Sequence, residues 1–466
     1  MSDNKMDNLM YFTELEVQNI KCFEKTQKLD LKNEDGTIAR WTLILGENGV
    51  GKTTLLKCLS WMVPVQAPDE GQPKKTKNSK PKKEKIFLKP FMDDFDNELA
   101  YDQLVRSGKS TISNITAKFS SGVGLNNKSN PKSEVVIGMD FNRIDGKLEL
   151  VEARKQQVKQ FNTPTIFAYN AKRHMAFKNL EDKELRDPLA NFFSDSGDLY
   201  DAEQVLEMLD SGAHRHGAGS IVHGLLESLK QILADLLPDI ISKEHIIINP
   251  AINKDGTVNS NIVEVKTFDG LIKLKDLSLG YQTMFAWIVD LAVRMLWASP
   301  EIENPLSTPA IVLVDEVDLH LHPIWQRDVR ERLTQHFPNT QFICTAHSPF
   351  MAQASEDENL CVIKREESGL YIENEPIVVK GWRIGQIVTS ELFGLITERG
   401  PQEQKDIERR RALLDKSRLT EEEKQSLEVL NQKLSQLPIA DDEAQKVFNL
   451  VNNAAELLKK KGIIND

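Results

Sequence analysis

The sequence predicts an α/β fold: a parallel sheet preceded by an antiparallel β segment, interrupted by a helical insertion and followed by a helical extension. Three observations predict it. A compact apolar segment at residues 41–45 runs into a Gly-rich turn and then into a helical pattern from about Thr53, the strand–loop–helix order of an α/β unit. Two later apolar runs, 310–314 and 340–346, are separated by a helical stretch, as neighbouring parallel strands require. From about Pro401 the chain becomes highly charged and reads as helix.

The elements follow in order. Residues 11–31 read as strands, and 10–63 make an N-terminal lobe that includes the Gly-rich turn. A Lys/Pro-rich loop is expected at 64–90, with the remaining strands of that lobe at 91–175, including runs around 112–119 and 135–141. A helical insertion is expected at 176–250; its clearest helix carries Leu225, Leu229, Ile232, Leu233 and Leu236 on one face and stops at Pro238. The segment 251–395 forms a C-terminal lobe, opening with a hairpin whose turn is marked by Asp269-Gly270 and followed by a long helix from about Gly280. The tail, 396–466, carries a Thr420/Glu423 capping box, a stripe of Leu427, Leu430, Leu434 and Leu437, and a last helix with Val447, Leu450, Val451, Ala454, Leu457 and Leu458. These stripes read either as internal packing faces or as a partner-docking surface.

Composition narrows the function classes. At 466 residues, 40% hydrophobic and 28% charged, the chain is an ordinary globular protein long enough for a large core. The most apolar stretch, 283–298, contains Asp290 and Arg294 and is too short to span a bilayer. The polar N-terminus does not resemble a signal peptide, and the four cysteines (Cys22, Cys58, Cys344, Cys361) have no metal-ligand spacing, so a cytoplasmic location is expected. A net charge of −11 excludes coating of nucleic acid by the chain as a whole. The exception is local: Lys74, Lys75, Lys77, Lys80, Lys82, Lys83 and Lys85 read either as a solvated loop or as a tether for a phosphate backbone.

Four motifs carry chemistry. Gly46-Glu47-Asn48-Gly49-Val50-Gly51-Lys52-Thr53 fits GxxxxGK[ST] between a strand and a helix, a P-loop. Its glycines let main-chain N–H groups turn toward phosphate oxygens, Lys52 reaches the β- and γ-phosphates, and Thr53, followed by Thr54, faces a Mg²⁺ ion. Four apolar residues at 311–314 end in Asp315-Glu316, a Walker B pattern in which Asp315 holds Mg²⁺ and Glu316 orients or deprotonates the attacking water. Leu277-Ser278-Leu279-Gly280-Tyr281-Gln282 places Ser278, Gly280 and Gln282 at a helix start, where a serine hydroxyl and free N–H groups suit a γ-phosphate. The fourth, Thr345-Ala346-His347-Ser348-Pro349, follows an apolar strand and offers His347 as a γ-phosphate donor. Asp318 lies between the second and fourth motifs; His320 and His322 nearby read as packing rather than as metal ligands, since no third ligand is evident. Asn170, at the end of an apolar run, stands where a glutamine is expected and can still reach the Mg²⁺ shell.

These residues resemble a known family. The order P-loop, LSxGxQ signature, Asp315-Glu316 and His347 is similar to that of ABC ATPases, whose signature reaches nucleotide held by a partner protomer and whose D-loop, where Asp318 falls, contacts that protomer. The opening Leu15-Glu16-Val17-Gln18-Asn19-Ile20-Lys21-Cys22-Phe23-Glu24 resembles that of SMC and RecF-type ATPases. The run from Asp315 through His322-Pro323 to Pro349 resembles the AAA-15/AAA-21 group, which includes OLD-type nucleases and phage-defence ATPases. No long heptad segment, Toprim-like acidic set or HNH-like ββα site is evident in the sequence. The combination is similar to the ATPase subunits of Septu-type defence systems. That resemblance implies ATP and Mg²⁺ as cofactors, head-to-tail homo-oligomers, a separate HNH nuclease partner, and DNA or RNA as what the complex acts on. A RecF/SMC-like repair clamp without a nuclease is the alternative.

Overall fold

The computed structural model describes residues 9–66, 86–88, 112–122, 124–125, 133–144, 147–155, 164–173, 188–189, 192, 199–237, 239–259, 262–355, 359–367, 369–374, 379–395, 397–416 and 418–435. The chain divides into two compact units, Met1–Phe393 and Gly394–Asp466.

The first unit opens with β1 (Met10–Gln18), β2 (Gln27–Asp30), β3 (Trp41–Gly46), α1 (Lys52–Trp61) and a ribbon of β4 (Pro64–Gln66) and β5 (Ile86–Leu88). Strands β6 (Ile112–Ser121), β7 (Ser133–Ile144), β8 (Lys147–Lys155) and β9 (Ile166–Tyr169) precede helices α2 (Ala202–His216) and α3 (Ile221–Leu236). After β10 (Ile246–Ile248), β11 (Val263–Thr267) and β12 (Gly270–Lys273) comes the long α4 (Leu279–Ala298). The unit continues with β13 (Ala310–Val314), α5 (Pro323–His336), β14 (Thr340–Thr345), α6 (Pro349–Ala354), β15 (Asn359–Glu366), β16 (Gly369–Glu373) and α7 (Ile384–Val388).

The central sheet has the order β16-β15-β3-β14-β13-β9 and is parallel except for β16. Its strands are buried on both faces, which explains their unbroken apolar runs. Alternate residues serve different cores. Trp41, Leu43, Leu45, Val312, Val314, Phe342 and Cys344 face the helical side, where α2, α3 and α4 contribute Leu206, Leu229, Ile232 and Phe285. Ile44, Ile311, Leu313, Ile343 and Cys361 face the other side, packed with Leu55, Leu56 and Leu59 of α1 and with the antiparallel sheet β2-β1-β6-β7-β8. That second sheet offers Ile115, Ala117 and Phe119 of β6 and Val135, Ile137 and Met139 of β7, every other residue of each strand. Gln341 of β14 ties the sheets together. Its amide accepts from Phe12 N–H at 3.0 Å and donates to Phe12 C=O at 2.8 Å, beside a bulge in β1.

Helix α4 is apolar around its whole circumference, with fifteen of its 20 residues buried, which marks a core helix rather than a surface one. No helix among the described residues is long and apolar enough to cross a membrane.

In the second unit, α8 (Pro401–Leu414) and α9 (Glu421–Ser435) are described. The Thr420/Glu423 capping box is present: Glu423 N–H donates to Thr420 Oγ1 at 3.3 Å, and Thr420 N–H donates to Glu423 Oε2 at 3.0 Å. Leu430 of the leucine stripe is buried and Leu427 and Leu434 are half-buried; Leu437 and the helix expected over 447–458 lie outside the described residues.

Several elements differ from expectation. The hairpin turn is Phe268-Asp269, one residue earlier than the Asp269-Gly270 reading, because Gly270 already pairs with Thr267. Strands β10, β15 and β16 have no counterpart in the sequence reading, and β8 falls among the strands expected over 91–175 without a run of its own. The loop expected from residue 64 begins as β4, and its lysine run, 74–85, lies outside the described residues. In the helical insertion the described helices begin at Ala202, and residues 174–187 lie outside the described set.

Candidate active site

The ends of β3, β14, β13 and β9 lie side by side, so the residues following them collect along the carboxyl edge of the sheet. Ligands bind at such edges in parallel α/β folds. After β3 the chain makes the Gly46–Gly51 loop. Gly46, Gly49 and Gly51 all have positive φ, which only glycine adopts without strain, and Asn48 lies between them. At Gly51, the N-cap of α1, a Cβ would also meet Cys22 Sγ at 2.5 Å. Val50 is buried and anchors the loop to the core.

The first turn of α1 carries Lys52, Thr53 and Thr54. The Lys52 ammonium donates to Gly46 C=O (2.8 Å) and Glu47 C=O (2.9 Å), and lies 3.4 Å from His347 Nδ1. Burial pushes its pKa down to about 8, against the pull of Asp315, Glu316 and Asp318. The Thr53 hydroxyl donates to Asp315 Oδ2 at 2.7 Å, which joins the P-loop helix to the end of β13. Thr54, one position on, is buried.

Asp315 is buried, and its other carboxylate oxygen accepts from the Thr345 hydroxyl at 2.6 Å. Thr345 Oγ1 in turn accepts from Glu316 N–H at 2.7 Å. Glu316 itself is half-exposed with φ of 50°, a conformation that is strained for any residue with a Cβ. Asp318 Oδ2 accepts from His347 N–H at 3.0 Å, which ties the two loops together. Burial and the Lys52 charge lower the His347 pKa from its ordinary value, so the ring is neutral at neutral pH. A lysine ammonium can only donate, so the tautomer that suits this 3.4 Å contact has Nδ1 as acceptor and the proton on Nε2.

Asn170 follows β9, whose last residue, Tyr169, accepts from Asp315 N–H at 2.8 Å; Asn170 is thus at the same edge. His322 caps α5 by accepting from Ile324 N–H at 3.3 Å, and His320 is exposed with φ of 64°.

The signature residues sit at the start of α4. Ser278 is its N-cap, exposed, with a side chain that makes no capping hydrogen bond. Gly280 packs directly on the Asp315–His322 loop: a Cβ there would overlap the carbonyl oxygen of His320. Gln282 donates to Lys275 C=O (2.9 Å) and Leu277 C=O (2.7 Å), which holds the turn before the helix.

Two further residues at the site have no role in the sequence analysis. Thr345 bridges Asp315 and Glu316 as described. Arg173 is 3% exposed, and its guanidinium donates to the carbonyls of Asp315 (2.5 Å), Glu316 (2.8 Å) and Asn170 (3.1 Å). A threonine at a strand end and an arginine four residues past another are common patterns, and neither stands out before the strands are paired.

A parallel sheet whose glycine-rich first loop opens a helix beside two strand-end carboxylates belongs to the P-loop nucleotide-binding class. Residues 42–351 match the family model described as "AAA domain, putative AbiEii toxin, Type IV TA system", and the chain belongs to that family. It is similar to "Septu protein PtuA" of Bacillus mycoides (strain KBAB4), with 23% identity over 432 residues, 91% of this chain and 50% of that protein. It is also similar to "Retron Vc95 probable ATPase" of Vibrio cholerae serotype O1 biovar El Tor, at 29% identity over 197 residues, 39% of this chain and 37% of that one. The chain thus spans half or less of the length of these relatives. Among solved structures, the SMC head domain from Thermotoga maritima aligns over 78% of this chain and 99% of that one, at 14% identity and a TM-score of 0.38.

Proposed function

We propose that this chain binds and hydrolyses ATP as the regulatory subunit of an anti-phage defence complex, with its ATP sites completed between two head-to-tail copies. The observation that carries the ATP reading is the convergence of Lys52, Thr53, Asp315, Thr345 and His347, from three separate segments, into one bonded cluster at the sheet edge. The Thr53 hydroxyl and the Asp315 carboxylate are 2.7 Å apart, a donor pair that fits Mg²⁺; the ion would stabilise charge on the β- and γ-phosphate oxygens. Held by Thr53 and Asp315, such an ion would complete its oxygen shell from nucleotide and water.

Glu316 orients the water that attacks the γ-phosphorus, giving ADP and inorganic phosphate, and His347 Nε2–H donates to the γ-phosphate. Ser278 is exposed and makes no capping bond in its own chain, which supports a role toward nucleotide held by a second copy. ATP then links two copies, and hydrolysis removes the phosphate that both grip. The relatives named for Septu and retron systems support the defence setting. The resemblance to Septu-type ATPases supports control of a separate HNH nuclease acting on DNA or RNA.

Glu316→Gln is expected to bind ATP and accumulate as a dimer in light scattering, whereas Lys52→Ala loses nucleotide affinity and stays in the ATP-free state. Absence of ATP-dependent association in wild type and Glu316→Gln alike would remove the split-site reading. Affinity capture from the native cell tests the rest: a copurifying nuclease supports the defence reading, and DNA with replication proteins alone supports the repair clamp.

A further inference from the structure

We propose that Arg173 is a positioning residue for hydrolysis, which sets the main chain of Glu316 and through it the direction of the carboxylate. The inference rests on the reading of this site as an ATP-hydrolysing one.

The geometry begins at the end of a ladder. Strands β9 and β13 run parallel through Tyr169 and Val314, and Asp315 N–H makes one further bond to Tyr169 C=O. Past that point the strands separate, and the carbonyls of Asn170, Asp315 and Glu316 have no rung to join. Arg173 supplies the donors. The chain turns after Asn170, with Arg173 N–H on Asn170 C=O at 3.3 Å, and the guanidinium comes back over all three carbonyls. The planar fork reaches the successive carbonyls of Asp315 and Glu316 through two different nitrogens, Nη1 and Nη2, in a fixed geometry that an ammonium does not impose.

The residue so held is strained. Glu316 has φ of 50°, and a left-handed residue with a side chain persists only where its surroundings fix it. Here both its main-chain groups are fixed, N–H by Thr345 Oγ1 and C=O by Arg173 Nη2 together with Leu319 N–H at 3.0 Å, while Arg173 Nη1 holds the Asp315 C=O of the same Asp315–Glu316 peptide. If the Arg173 bonds are lost, the Asp315–Glu316 peptide keeps only its Thr345 contact and Glu316 C=O only its turn bond from Leu319 N–H, so Glu316 can relax toward ordinary φ, which swings the carboxylate away from the Asp315 side. Lys52 and Thr53 make their bonds to other atoms, so phosphate binding does not depend on the guanidinium. Burying a charged group at 3% exposure is costly, and a neutral residue of similar size would satisfy packing alone. The charge is balanced by Asp315, Asp318 and Glu316, the carboxylates of the site itself.

The test uses the full chain as wild type, Arg173→Lys and Arg173→Ala. Affinity is read with a fluorescent ATP analogue, turnover by steady-state phosphate release, and folding by thermal melting. Nucleotide affinity is expected to stay within about threefold while kcat falls by about thirtyfold or more in Arg173→Ala, with a smaller fall in Arg173→Lys. Guanidinium chloride, far below denaturing concentrations, restores part of the Arg173→Ala turnover. Equal loss of affinity and kcat without guanidinium rescue, or failure of both variants to fold, makes Arg173 a residue of stability and overturns the proposal. Unchanged turnover in both variants of an active wild type overturns it too and leaves hydrolysis standing. A wild type that releases no phosphate, with or without DNA, removes the hydrolysis reading and this proposal with it.

Discussion

Lys52 carries its charge in a place that disfavours it. Its ammonium is buried against two P-loop carbonyls and a neutral imidazole, and burial holds its pKa at about 8. A triphosphate favours the cation and raises that value, so the two states of the site differ in protonation at alkaline pH. Well below pH 8 the lysine is charged with or without nucleotide, and binding moves no proton. Above it the free site has lost the proton, and binding must take one up. ATP affinity is therefore expected to be flat up to about pH 7 and to fall by up to about tenfold per unit above pH 8. Folding of the free protein has the opposite sign. A lysine with a depressed folded pKa opposes folding while charged, and that penalty fades as pH rises from about 8 toward the unfolded value near 10.4. Calorimetry at about pH 9 in two buffers of different ionisation enthalpy reads the uptake directly. Binding with no proton uptake there would show that Lys52 keeps its charge in the free site.

At the scale of elements, α4 joins the signature to the rest of the site. Within its core-facing body lies an ion pair, Asp290 with Arg294 (2.6 Å), both buried. Asp290 also accepts from Tyr169 OH (2.9 Å) at the end of β9 and from Tyr200 N–H (3.1 Å), and Arg294 stacks over the Tyr200 ring. The carboxylate thus anchors the signature helix to the strand that precedes Asn170 and Arg173. Asp290→Asn leaves the guanidinium buried without its counter-charge and is expected to lower stability by about 3–5 kcal/mol, seen as a lower urea midpoint at unchanged slope. The double change Asp290→Leu with Arg294→Met is expected to recover only part of that loss, because it removes the unpaired charge but leaves Tyr169 O–H and Tyr200 N–H without their acceptor. A loss under about 1 kcal/mol in Asp290→Asn would mean that the pair is not held as described. The sequence announced α4, β3, β13 and β14 because each is a long apolar stretch next to a motif whose chemistry sits in consecutive residues. It was silent on β15, where a short apolar core, Leu360 to Ile363, runs into Lys364-Arg365-Glu366 and looks like a solvated edge until it pairs with the P-loop strand. Arg173 and Thr345 were illegible for a related reason. Their partners lie 142 or 143 and 29 or 30 positions away, and what they satisfy is main-chain groups and a carboxylate freed by the end of strand pairing.

For the whole molecule, the question is whether one chain contains a complete site. The cluster around Lys52 and Asp315 is assembled within Met1–Phe393, yet Ser278, in the same unit, faces solvent. A head-to-tail pair with a twofold axis has two equivalent sites, each taking its P-loop from one copy and its signature from the other. This arrangement makes a prediction that no one-chain site shares. Lys52→Ala removes the phosphate-binding half and Ser278→Arg blocks the signature half, so each variant alone is inactive. Mixed in equal amounts, the two exchange copies, and in each mixed dimer one site has both halves intact while the other has neither. If pairing is random, half of the dimers are mixed and one of their two sites is whole, so turnover is expected to return to roughly a quarter of wild type. A site complete within one chain gives no recovery at any mixing ratio, since every chain then carries its own defect. Phosphate release measured across a titration of one variant into the other separates the two cases, and a flat, inactive titration with both variants folded and exchanging would rule out the shared site.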